Sequence, residues 1–284
     1  MKLTISNHYS PFALAALLIF FGFQASSAVS GPLGAVADKI APHRAAYELK
    51  LEEVVSGSQI VHAEGFMSFD WLRRCDGWTS DQRLFLVITY PENRTIKFKA
   101  VSVTWESDDG LRFRFNISRD GVGDEEERIV GEATLKRIGG PGEVKYESPK
   151  GKKEKLPAGT VFPTRHTLLL LQKALSGERF DKQKVFDGGE LKGVSPVTAI
   201  FFPKQAKIDL PKPVKGYSPK PVFPMKLAFF APSGGDAAQD SLPESEYKIF
   251  YQANGVAPRL HLNFGDFKFR GDMIGFERLP KPEC

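Results

Sequence analysis

Between His43 and Asp120 apolar and polar residues repeatedly alternate with period two. Ala45, Tyr47, Leu49 and Leu51 fall on one side of the first segment, and Arg44, Glu48, Lys50 and Glu52 on the other. That is the pattern of a strand with one wet face. After the turn residues of 54–58, the stretch from Gln59 to Trp71 is extended again, and Asp76-Gly77 marks a turn. Gln82–Tyr90 is rich in β-branched and aromatic residues and ends at Pro91. Thr95–Trp105 sets Ile96, Phe98 and Ala100 against Lys97 and Lys99, and Leu111–Ile117 alternates cleanly after the turn 107–110. Five strands joined by short turns predict an antiparallel meander. Further strands are expected over Ile129–Ile138, Lys184–Gly188, Pro196–Phe202 and Met225–Phe230. Glu246–Ala253 and Val256–Phe264 flank Asn254-Gly255, the strongest hairpin signal in the chain. Phe267–Arg270 and Met273–Phe276 complete the set.

One segment breaks the period. Thr164 is placed to cap a helix over Arg165–Leu175, and Ser176-Gly177 ends it. Leu168, Leu169, Leu170 and Leu171 cover most of its circumference, and Leu175 adds to the apolar surface. A helix apolar on so many sides is buried by a surface that wraps it, which calls for a concave sheet. His166, on its first turn, reads as a satisfied structural histidine, with a binding role as the alternative.

The N-terminus adds a compartment. Lys2 precedes the apolar run Phe12–Phe23, and small residues at Ser26 and Ala28 offer a signal-peptidase site. Twelve apolar residues are too few to span a bilayer. The expected organisation is a signal peptide over 1–28, a flexible lead-in over 29–42 and one β-rich domain over 43–284, exported as the mature chain. With one leader lysine removed from a formal charge of +5, the mature chain is too weakly basic for a nucleic-acid binder. The 20 Pro and 26 Gly serve as turn punctuation, and the 23 Phe supply a large core.

Positive charge is nonetheless concentrated. Residues 203–224 interleave six prolines with Lys204, Lys207, Lys212, Lys215 and Lys220, an extended loop or edge that cannot be a central strand. Lys152 and Lys153 lie in a second basic run, read as a wet loop. The acidic stretch 120–127 lacks the spacing of an EF-hand and reads as a solvated turn.

Catalytic and metal motifs are absent: there is no His-Glu-x-x-His, paired Cys-x-x-Cys, Gly-x-Ser-x-Gly elbow or P-loop, so no cofactor or metal is expected. A pair of carboxylates assembled by the fold stays open, and with it a hydrolase. Cys75 and Cys284 are the only cysteines. In an exported chain they read most simply as one disulfide, the alternative being two unrelated thiols. Closing a loop of roughly 200 residues is worth about 5 kcal/mol at most.

The ordered series His43–Leu49, Cys75-Asp-Gly-Trp78, Trp105–Gly110, Phe113–Phe115, Phe162–Thr167, Phe186–Gly188, Tyr251–Val256, Phe264–Phe267 and the final cysteine resembles the envelope integrity protein B family of Gram-negative bacteria. The resemblance covers the whole mature chain. Ala253, before the Asn-Gly turn, is one departure, and only turn detail is expected to change there. The resemblance implies a periplasmic protein with a mainly β fold, a large antiparallel spiral-like sheet or incomplete barrel wrapped around one main helix. It implies a Cys75–Cys284 disulfide, a shape similar to periplasmic lipoprotein carriers, and a role in envelope integrity under stress without an assigned reaction. The function expected is therefore non-enzymatic binding by a monomer, with a lipid, lipoprotein, periplasmic protein or peptidoglycan as partner. Lys152, Lys153, Lys204, Lys207, Lys212, Lys215 and Lys220 are the candidate contacts.

Overall fold

The alternating segments assemble into one sheet. The computed structural model describes residues 32–120, 127–191, 193–232 and 242–284. The expected signal peptide and most of the acidic turn lie outside these residues. The strands are β1 (His43–Val54), β2 (His62–Arg73), β3 (Gly77–Thr89), β4 (Thr95–Ser107), β5 (Arg112–Asp120), β6 (Glu127–Leu135), β7 (Gly142–Ser148) and β8 (Lys153–Leu156). After the middle of the chain come β9 (Thr160–Val161), β10 (Phe180–Val185), β11 (Ser195–Phe201), β12 (Val222–Phe229), β13 (Ser245–Gln252), β14 (Arg259–Asn263) and β15 (Phe267–Arg278). Two α-helices are described, α1 (Pro32–Ala37) and α2 (Pro163–Ser176).

All fifteen strands belong to one sheet, in the order β8-β7-β6-β5-β4-β3-β2-β1-β15-β14-β13-β12-β11-β10-β9. Each pairing is antiparallel except β9 with β10. The chain therefore runs outward from β1 to one edge at β8, then restarts at the other edge and works back to β15, which pairs with β1. The two edges are consecutive in sequence, and side chains from the β5–β8 side reach the loop after β10 where no ladder does. Gly193 N–H donates to Glu154 of β8 at 2.5 Å, Lys152 to the Leu191 carbonyl, and Arg119 to the Gly189 carbonyl at 2.8 Å. The result is a nearly closed, barrel-like sheet. The basic run expected to be a loop contributes an edge strand, because alternate residues Glu154 and Leu156 turn inward while Lys153 and Lys155 face solvent.

The phenylalanine excess fills the closure. Phe113, Phe115, Phe162 and Phe186 are all buried, with the Phe113 and Phe162 rings stacked 5.1 Å apart. Helix α2 lies in the concavity. Leu170 packs with Val185, Val197 and Met225, whereas Leu168 and Leu171 meet Trp71, Trp78, Val36 and Ile40. Burial on two sides of the helix matches the leucine run. Two positions differ from expectation: Leu169 is only half-buried, and Leu175 is exposed. Leu175 sits on the last turn, where the helix emerges at the mouth of the sheet.

The start of α2 also differs. Thr164 does not cap it; the N-cap residue is Phe162, without a side-chain cap bond. The acceptor comes from β4 instead. Glu106 takes the Thr164 N–H at 2.7 Å and the Arg165 N–H at 2.9 Å, so one carboxyl satisfies two of the orphan amides of the first turn. The C-terminus follows the sequence, with Gly177 in the left-handed conformation (φ 80°).

The lead-in, expected to be flexible, carries α1, and its Val36, Ile40 and Ala41 are buried. The physical reason is that Val36 and Ile40 complete the tryptophan cluster against α2. Nearby, Cys75 and Cys284 are disulfide-bonded across 209 positions of sequence, and Lys281 donates to the Asp38 carbonyl at 3.1 Å. The C-terminal tail thus straps the α1 segment to the sheet.

Candidate functional site

The mouth of the sheet at the C-terminal end of α2 holds a groove of about 360 Å³. Its position follows from local structure. Gly177 stops α2 and leaves Leu175 facing outward. Phe223 enters at the start of β12, opposite Tyr251 of β13, and Pro221 precedes it. The turn after β13 supplies Ala253 and Asn254, and Asn254 O accepts the Ala41 N–H at 2.9 Å, which brings Lys39 alongside. Lys204 and Lys220, from the two ends of the proline-rich segment, complete the lining.

The floor is apolar, from Leu175, Pro221 and Phe223, and the rim carries three ammonium groups, those of Lys39, Lys204 and Lys220. The Lys204 ammonium lies 5.8 Å from the centre of the Phe223 ring. Among the described residues, none of the three lysines is in an ion pair. A volume near the lower end of the roughly 300–1,000 Å³ of ligand sites, with an apolar floor and convergent cations, suits a slender anionic amphiphile.

The other basic residues divide. Lys212, Lys215 and Lys153 are exposed and lie outside the groove. Lys207 pairs with Asp209 at 3.0 Å. Lys152 turns inward over the Tyr146 ring, 5.6 Å from its centre, and belongs to the closure of the barrel. The proline-rich segment is also partly a cover, since Ile208 and Leu210 pack on Val222 and Phe250. Lys39 and Phe223 were not singled out in the sequence. Asn254-Gly255 was legible there only as a turn.

Buried titratable groups are committed to structure. Burial raises the Glu106 carboxyl to about 7, against the pull of the Arg165 and Thr164 amides in the other direction, and no second carboxylate perturbs it. Burial lowers His166 to about 4, so the histidine on the first turn of α2 is neutral at pH 7. Among the described residues no helix is long and apolar enough to cross a membrane.

The EipB-like family model matches residues 34–280. Cell envelope integrity protein EipB of Brucella abortus (strain 2308) is 28% identical over 264 residues, covering 92% of this chain and 90% of its own length. The crystal structure of a beta-barrel-like protein of a domain of unknown function from Brucella abortus superposes with a TM-score of 0.76 at 28% identity, covering 85% of this chain and 99% of the other. With the family model matched across nearly all the described fold, the chain belongs to the EipB-like family.

Proposed function

We propose that this chain is a non-enzymatic periplasmic protein that supports envelope integrity by holding an anionic amphiphile, a lipid or the acylated end of a lipoprotein, in the lysine-rimmed groove. The observation that carries the reading is the groove itself: Leu175 and Phe223 form an apolar floor beneath three lysines that, among the described residues, have no ion pair. The name of the Brucella relative supports the envelope role, and the leader-like N-terminus supports export. The hydrolase alternative needs a cleft with paired carboxylates. The most perturbed carboxyl, Glu106, has both oxygens engaged by helix amides.

Titration calorimetry with lysophosphatidylglycerol and lysophosphatidylcholine below their micellar concentrations tests the reading. The anionic lipid is expected to bind more tightly, and Lys39→Glu with Lys220→Glu to weaken it by about tenfold or more. Equal affinity for both lipids, or no effect of the two substitutions, would sink it.

A further inference from the structure

The outer face of the sheet beside the groove carries an apolar cluster that nothing in the described chain covers. Phe180 of β10 and Ile200 of β11 are direct cross-strand partners, 56% and 49% exposed. Phe202, two residues beyond Ile200 on the same face, is 38% exposed, and its N–H donates to Pro224 O at 3.0 Å. β9 pairs only with Lys184 and Val185, so Phe180 projects beyond it near the edge of the sheet. Isolated exposed apolar residues are ordinary; three large ones side by side on one face mark an interaction site.

The surroundings are basic. Arg179, Lys182 and Lys204 are exposed next to these residues in sequence. Lys226 lies opposite Ile200 in the ladder, and Lys248 opposite Lys226. The Lys248 ammonium sits 4.9 Å from the centre of the Phe202 ring. The nearby carboxylates are occupied: Glu246 pairs with Lys226 at 2.7 Å, Glu178 with Lys173 at 3.3 Å, and Asp181 is buried against Lys173 at 2.9 Å.

We propose that this face docks on an anionic phospholipid bilayer. Phe180, Ile200 and Phe202 enter the interfacial zone, and Arg179, Lys182, Lys204 and Lys248 meet headgroup phosphates. Charge selects the occupant. The centre of a protein–protein interface is depleted in lysine, whereas large apolar side chains ringed by long-stemmed lysines suit an anionic membrane surface. Lys248 already lays its charge across an exposed aromatic ring, as a snorkelling lysine does. The docking face and the groove share Lys204, and Phe201 N–H bonds to the Arg179 carbonyl at 3.1 Å just past the end of α2. A docked molecule would therefore present the groove mouth to the bilayer. This surface stands whatever occupies the groove.

Flotation with vesicles containing roughly one quarter phosphatidylglycerol, and with pure phosphatidylcholine vesicles, tests the proposal. The purified protein is expected to float with the anionic vesicles and to lose about tenfold or more in binding on the neutral ones or in ~0.5 M salt. Phe180→Ser with Ile200→Ser is expected to lower anionic-vesicle binding about tenfold with an unchanged melting temperature, both side chains being exposed. The same double variant is expected to bind lysolipid as the parent does, since neither Phe180 nor Ile200 lines the groove, which separates the two readings. Flotation of the Phe180/Ile200 double variant equal to the parent overturns the proposal, as does no binding of the parent to anionic vesicles.

Discussion

Replacing Glu106 by Gln tests whether a buried carboxyl near neutrality holds the start of helix α2. Burial raises its pKa from the ordinary 4.5 to about 7. Between those values the folded protein keeps a proton that the unfolded chain has released. Stability therefore falls as pH rises through this window, by at most about 1.4 kcal/mol per pH unit and roughly 3 kcal/mol across it. Glu106→Gln keeps the shape and one acceptor oxygen but does not titrate, so its stability should lack this loss. His166 acts in the opposite direction. Burial lowers it from 6.5 to about 4, and its contribution is present above 6.5 and lost as pH falls toward 4; His43 is lowered by burial in the same sense. The parent curve mixes these effects, so the readout is the difference between variant and parent. Urea unfolding at several pH values from about 5 to 8 should show that difference moving by roughly 3 kcal/mol in favour of the variant. A difference that stays constant with pH would refute the assignment of a titrating carboxyl to the helix cap.

Cys284→Ser should lower the melting temperature by on the order of 10 °C, since closing so long a loop is worth up to about 5 kcal/mol; calorimetry of the parent with reductant should match the variant, and a variant melting with the oxidised parent would show the bond to be idle. Gly255→Ala should cost roughly 2–4 kcal/mol, since Gly255 has φ +81° and a Cβ there would lie 2.8 Å from the Trp71 ring and 3.1 Å from Ile40. Urea unfolding with tryptophan fluorescence reads this, and a loss under ~0.5 kcal/mol would mean that the turn relaxes around the methyl group.

The strands were legible because burial on one face of a pleated ladder forces period-two alternation. β1 to β5 appear where Ala45, Tyr47, Leu49, Phe113 and Phe115 alternate with polar neighbours. The two short segments expected at 267–270 and 273–276 are a single strand, β15, because Gly271 and Asp272 between them stay in the ladder, opposite Leu49 and Glu48 of β1 and Leu260 and Arg259 of β14. Local signals could not show the pairing of β1 with β15, which joins the two ends of the chain. Nor could they show Glu106 as the cap of α2, since the carboxyl comes from a strand 58 positions away. Helix α1 was not legible because six residues of small and proline-containing sequence carry no helical period; the segment is held where Val36 and Ile40 meet Trp71 and Trp78. The groove was half legible. Lys204 and Lys220 stood out in a basic run, whereas Lys39 and Asn254 reach them only through the Ala41–Asn254 hydrogen bond.

The strand order has a consequence for how the molecule comes to exist. β15, the last of the described strands in sequence, takes a place between β1 and β14 in the middle of the sheet, while the outer edges are formed half-way along the chain. Until β15 arrives, β1 and β14 each present an open row of backbone donors and acceptors, a template for mispairing. A chain truncated before Phe267 would lack not a peripheral strand but the one that unites the two halves. Assembly is therefore a test of completeness, and pairing between the beginning and end of a long chain makes it slow. Such a sheet is best closed once, after β15 has been made.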